Sequence, residues 1–199
     1  MTAVLFARKD SIYKTLPGLD VFDIERDALN YRGDEPVIAH PPCRAWGSLS
    51  YLAKPRPGER ELAPWAVDQV RRCGGVLEHP ERSRLWPEKG LPGPGLRDEF
   101  GGWTLPIWQS WFGHKADKAT RLYICGIDPA EIPPIPLALG FGTHCVTKAP
   151  RRKDGTRKRR GDIGYRPELS KAAREHTPPA LAAWLVDVCG RIEARKASA

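Results

Sequence analysis

No apolar run in this 199-residue chain approaches the roughly 20 residues that a bilayer-spanning helix needs, so no transmembrane segment is predicted. The opening residues, Met1-Thr2-Ala3-Val4-Leu5-Phe6-Ala7-Arg8, lack a basic n-region and a full hydrophobic core, which argues against a secretory leader. The five cysteines (Cys43, Cys73, Cys125, Cys145, Cys189) contain no Cys-x-x-Cys pair. Their odd number predicts free thiols in a reducing compartment rather than a disulfide framework. His40, Cys43, His79, His144 and Cys145 show no ligand spacing of a zinc knuckle or ribbon, so no metal is expected. Internal repeats and low-complexity tracts are also missing.

Charge is present, and it is unevenly placed. The net formal charge is +8, from 32 basic and 24 acidic residues. Between Lys148 and Arg160 lie Lys148, Arg151, Arg152, Lys153, Arg157, Lys158, Arg159 and Arg160 against the single acid Asp154. That segment holds nearly all of the excess. Such a block is an electrostatic footprint for a phosphate backbone; the plainer reading is a solvated loop. Gly155 and Thr156 interrupt it, which suggests a flexible loop that orders on a polyanion.

The apolar pattern predicts strands at Ala3–Ala7, Leu19–Ile24, Val37–Ala39 and Val76–Leu77, with helical turns within Arg8–Leu16 and Asp27–Tyr31. A helix is predicted over Glu59–Arg72, with Leu62, Trp65, Ala66 and Val70 on one face and Gly74-Gly75 as its stop. Two β-prone runs, Trp103–Phe112 and Thr120–Ile127, suit an antiparallel pair at the far side of the sheet. A short helix is expected within Pro167–Glu175. Thr177 is the expected N-cap of a last helix, with Pro178 at its first position and Leu181, Trp184, Leu185 and Val188 buried. The whole reads as one α/β domain with a mostly parallel sheet, flanking helices and one antiparallel pair.

The stretch Pro36-Val37-Ile38-Ala39-His40-Pro41-Pro42-Cys43-Arg44-Ala45-Trp46-Gly47-Ser48 organises the chemistry. A short buried strand stops at two prolines, each of which fixes φ and biases its predecessor to extended geometry. Cys43 is thus delivered on a stiff loop at a strand end, where open α/β sheets place ligand sites. A second strand end carries Glu78. A thiol and a carboxyl group side by side suit a pyrimidine ring. A thiolate adding at C6 makes C5 nucleophilic, and a protonated carboxyl group at N3 stabilises the developing charge. Arg44 and Arg121 are the candidate cations to ionise the thiol. Trp46 is the candidate base-stacking aromatic, the other tryptophans being core by base rates.

In these motifs the chain resembles the cytosine-C5 DNA methyltransferases, and more closely a compact phage-type set of methylase-like proteins. Pro41-Pro42-Cys43 looks like that family's nucleophile loop, and Leu77-Glu78-His79-Pro80 is similar to its Glu-Asn-Val/Pro motif. The run Lys118-Ala119-Thr120-Arg121-Leu122-Tyr123-Ile124-Cys125-Gly126 looks like its arginine-bearing strand. The segment His176-Thr177-Pro178-Pro179-Ala180-Leu181-Ala182 resembles the helix that closes its cofactor pocket, and Val21-Phe22-Asp23-Ile24-Glu25 its ribose-holding acidic turn. The resemblance implies a Rossmann-like domain with a reduced target-recognition region, acting in the cytoplasm of a bacterial or phage-infected cell. It implies base flipping and methyl transfer from S-adenosylmethionine to DNA. Catalysis falls to Cys43, Glu78 and Arg121, and cofactor binding to Phe6, Asp23, Glu25, Pro41 and Thr177. DNA contacts fall to Arg44, Trp46, Ser48, Arg151, Arg152, Lys153, Arg157, Lys158, Arg159 and Arg160. The family's Phe-x-Gly-x-Gly-Gly loop is replaced by Phe6-Ala7-Arg8-Lys9-Asp10-Ser11. Two other readings therefore stand: an S-adenosylmethionine-independent enzyme adding or eliminating a C5 substituent on an already modified pyrimidine, and a catalytically inactive DNA-binding accessory.

Overall fold

Six strands form one mixed sheet in the order β2-β1-β3-β4-β6-β5. They are β1 (Thr2–Leu5), β2 (Leu19–Val21), β3 (Val37–Ala39), β4 (Gly75–Pro80), β5 (Trp103–Trp108) and β6 (Ala119–Cys125). The computed structural model describes residues 1–47, 50–138 and 140–198. The first four strands pair in parallel, whereas β6 runs antiparallel to both β4 and β5. The antiparallel part thus exceeds the single pair expected from the sequence. The fold is α/β, and among the described residues no helix is long and apolar enough to cross a membrane.

Alternation along the strands sorts the core onto two faces. Ala3, Leu5, Val37, Ala39, Leu77, Tyr123 and Cys125 meet helix α1 (Glu59–Cys73). Val4, Ile38, Val76, Leu122 and Ile124 meet helix α4 (Pro179–Ala197). The buried stripe of α1 is Ala63, Ala66, Val67 and Val70. It is rotated from the predicted one, so that Leu62 and Trp65 are only half-buried. The buried face of α4 matches the prediction at Leu181, Trp184, Leu185 and Val188. Two short helices, α2 (Leu85–Glu88) and α3 (Lys171–Glu175), sit in the connections.

Two local features set the strand ends. Gly75 has φ +126°, and a Cβ there would lie 2.0 Å from the Val37 carbonyl oxygen, so β4 can approach β3 only as glycine. Helix α4 begins one residue later than predicted. Pro179 occupies its first turn and drives Pro178 extended, which makes Pro178 the N-cap and leaves Thr177 outside the helix.

Candidate active site

The C-terminal ends of β3 and β4 lie side by side, Ala39 paired with Leu77. This register places the next residues, His40 and Glu78, next to each other on the α4 face. His40 Nδ1 is 3.2 Å from Glu78 Oε2, and the Tyr13 hydroxyl is 3.0 Å from His40 Nε2. With a neutral ring, His40 donates from Nδ1 to the carboxylate and accepts the Tyr13 proton at Nε2. On the other side Gln109 Nε2 donates to Glu78 Oε1 at 2.9 Å, and Lys118 Nζ stands 3.9 Å from the same oxygen. Burial raises the Glu78 pKa, but Lys118 and His40 outweigh it and bring it down to about 2. The group is therefore a carboxylate in the free protein, not the protonated acid expected from the sequence. Tyr13 is buried, and burial together with Glu78 pushes its phenol well up, so it stays a neutral donor.

Cys43 follows on the Pro-Pro loop and is exposed. Enough protein surrounds its sulfur for burial to raise the thiol pKa; Glu78 raises it further and Lys118 opposes both. Cys43 thus rests as the protonated thiol, with Glu78 and Lys118 pulling its ionisation in opposite directions. At pH 8, Lys118→Met should slow alkylation of Cys43 by iodoacetamide and Glu78→Gln should speed it, by about tenfold for each pKa unit moved. Peptide-resolved mass spectrometry separates Cys43 from the buried Cys73, Cys125 and Cys189.

The loop is held by a gap in a helix. Pro64 lies inside α1 and has no N–H for the Arg60 carbonyl one turn back. The Trp46 indole fills that gap, its Nε1 donating to Arg60 O at 3.0 Å, with the Arg60 guanidinium carbon 4.3 Å from the ring centroid. Trp46 is 1% exposed and is a core residue, not a base-stacking one. Arg44 is likewise committed. It forks onto the buried carboxylate of Glu59, donating from Nε at 2.8 Å and also from Nη2. The Cys43 carbonyl accepts from the N–H groups of Trp46 and Gly47, which closes the turn.

Arg121 does not join the site. It pairs in register with His79, while Leu122 faces Glu78, so strand alternation turns Arg121 to the α1 side. There its guanidinium carbon lies 5.8 Å from the Trp86 ring centroid, and its Nε has no partner. The cation on the Glu78 face is Lys118, three residues earlier. His79 is fully buried with both ring nitrogens unpartnered, and burial lowers its pKa to about 4. The unfolded chain takes up a proton below about pH 6.5 that this ring refuses. Stability should therefore fall as pH drops from about 6.5 to about 4, by roughly 3 kcal/mol in total. Urea titrations of His79→Leu should show no loss across that window. The separate loss below about pH 4, from carboxylates such as Asp23 and Glu78, should persist.

The residues expected to hold S-adenosylmethionine are dispersed, and several already have protein partners. Phe6 takes φ +62°, a left-handed conformation costly outside glycine, and its ring packs edge-on against Trp65 at 5.9 Å. Asp23 is 4% exposed and fully engaged. Its Oδ2 accepts from Lys14 Nζ at 2.5 Å and its Oδ1 from the N–H groups of Glu25 and Arg26, with Lys14 chiefly holding its pKa down to about 2. Both oxygens already carry protein partners, and little of the residue reaches solvent. Glu25 pairs with Lys9 at the surface, and Pro41 is buried. Thr177 lines a cleft of about 440 Å³ with His114, Lys115, His144, Ser170 and His176, but neither Cys43 nor Glu78 does. Among the described residues no group of three or more His, Cys, Asp or Glu could hold a metal ion.

The basic segment is built rather than loose. Arg151 and Arg157 form an antiparallel bridge, the Arg152 N–H donates to Thr156 O at 2.7 Å, and Arg152 pairs with Asp162 at 2.6 Å. Arg157 and Lys158 donate to the carbonyls of Ala149 and Ile163. Arg151, Lys153, Arg157, Arg159 and Arg160 remain exposed. Ser48 lies outside the described residues. On either side of this segment, Gly142 and Arg166 are tied to Asp117, the residue before Lys118: its carboxylate accepts from the Gly142 N–H at 2.8 Å and pairs with Arg166 at 2.7 Å. Phe141, beside Gly142, is 91% exposed, and Tyr51, close after the Cys43 loop, is 77% exposed. Both are more exposed than Phe100 and Trp108, and sequence reasoning passed them over. Comparison with family models, curated proteins and solved structures finds no match to the chain.

Proposed function

We propose that this chain is a Rossmann-like DNA base-modifying enzyme that acts at C5 of a pyrimidine through a covalent bond between Cys43 Sγ and ring C6. The observation that carries the reading is an exposed cysteine, after the C-terminal edge of parallel strands, whose thiol feels the charges of an ionised glutamate and a lysine. In the reaction the Cys43 thiol gives its proton to water, the sulfur pair forms the S–C6 bond, and the C5=C6 π pair is displaced onto C5 and the group at C4. C5 then takes an electrophile and gives its own proton to water, and the C5–H pair re-forms the C5=C6 bond as the thiolate leaves. Lys118 supplies positive charge where the ring gathers negative charge. A base inside a duplex cannot reach the thiol, so the target is flipped out or single-stranded. The basic segment supports a DNA partner, and the exposed Phe141 and Tyr51 are suited to stacking on unpaired bases.

The likeness to the cytosine-C5 methyltransferases favours methyl transfer as the form of the reaction. The engaged Asp23 and the left-handed Phe6 favour the other form, in which a C5 substituent is added or eliminated without S-adenosylmethionine. Nucleoside mass spectrometry of DNA from cells expressing the protein tests the shared chemistry, with Cys43→Ala in parallel. A C5-modified pyrimidine should appear, or disappear, only with the intact thiol. Identical nucleoside profiles, together with retained DNA binding, would instead leave an inactive accessory protein.

A further inference from the structure

Glu78 is ringed by donors. His40 occupies Oε2, Gln109 occupies Oε1, and the Lys118 ammonium stands beside Oε1. A carboxylate only accepts, so the remaining partner it can take from a ligand must bring a hydrogen. Lys118 Nζ makes no hydrogen bond among the described residues, so its donors are free to meet a ligand oxygen. The protein therefore offers an acceptor and a donor side by side, and both act on the Cys43 thiol through their charge. Resting on the reading that Glu78 faces ring N3 while Cys43 adds at C6, we propose that the base this site accepts is a uracil-type ring, with N3–H and a carbonyl at C4, rather than cytosine.

The complementarity follows atom by atom. Uracil donates its N3–H to Glu78 and presents O4 to Lys118. When the Cys43 thiolate adds at C6, the displaced π pair ends on O4, next to the ammonium. Cytosine presents a lone pair at N3 and an amine at C4, so the first meets a carboxylate and the second an ammonium. Its N3 needs a proton that Glu78 does not hold at neutral pH. Cytosine satisfies the same two groups only by turning until its amine faces Glu78, and that takes C6 away from Cys43. A site whose buried polar groups are left unmatched rejects a ring strongly, because each unmade bond costs its desolvation.

The test needs no donor molecule. The full-length protein is incubated in D2O with a single-stranded oligodeoxynucleotide carrying one deoxyuridine or one deoxycytidine among adenosines. Reversible addition of Cys43 at C6 lets C5 take a deuteron and lose its hydrogen, which mass spectrometry reads as C5–H to C5–D exchange. Cys43→Ala supplies the background. Exchange should be about tenfold or more faster on uracil than on cytosine. In Glu78→Gln, whose amide can donate to a bare N3, the ratio should move toward cytosine. Equal rates, or faster exchange on cytosine, overturn the assignment while leaving the covalent mechanism intact. Exchange on neither ring removes the Cys43–C6 adduct itself, and the assignment with it.

Discussion

Replacing Cys43 by alanine should reduce base modification to the uncatalysed background while leaving the protein folded. Only the thiol is lost. The Cys43 carbonyl, which accepts from the Trp46 and Gly47 N–H groups, survives in alanine, and the side chain is exposed. Surface substitutions of this kind stay within about 0.5 kcal/mol of the parent. Unfolding midpoints should therefore coincide while the covalent step vanishes, since no neighbouring group can form the S–C6 bond. Cys43→Ser is the sharper comparison. It keeps a hydroxyl of similar size, but with a pKa too high to ionise beside Glu78, so it should be as inactive as alanine. Activity retained in either variant would place the chemistry elsewhere.

Replacing Trp46 by alanine should have the largest effect on stability, about 3–5 kcal/mol in urea unfolding. The indole is 1% exposed and packs in the cluster on the α1 face, so its removal leaves a cavity. It also strips the Arg60 carbonyl of the indole donor that stands in for the N–H Pro64 lacks. Trp46→Phe separates the two contributions, because it keeps most of the volume and loses the donor; it should cost about 1–3 kcal/mol. The rescue is Pro64→Ala, which returns an N–H to the helix. In that background the Trp46→Phe cost should shrink, and an unchanged cost would show that the gap in α1 is not what holds the loop.

Elements whose reasons are local were legible in the sequence. Val37–Ala39, the helix from Glu59 and the buried face of α4 follow from apolar period and punctuation alone. Those that depend on a distant partner were not. Strand β4 continues through Glu78, His79 and Pro80 because β6 pairs with it that far. The same register decides that Lys118, not Arg121, shares a face with Glu78, and alternation can be counted only once the pairing is known. His40 was more accessible to reasoning. Two parallel strands that end together place the residues after them side by side, so a histidine preceding Pro-Pro-Cys and a glutamate after the next strand are natural neighbours. Trp46 was misassigned because an aromatic near a nucleophile suggests stacking, whereas the missing N–H of Pro64 draws it inward. Nothing in local pattern signals that Asp23 is spent on Lys14 and its own turn.

Asp117 ties Gly142 and Arg166, which flank the basic segment, to the residue immediately before the lysine facing Glu78. If the proposed function holds, a strand gripped by the neighbouring arginines pulls one peptide bond away from that ammonium. A chain engineered with a longer link between residues 117 and 118 should then keep its hold on DNA in gel shifts while losing base modification in nucleoside mass spectrometry.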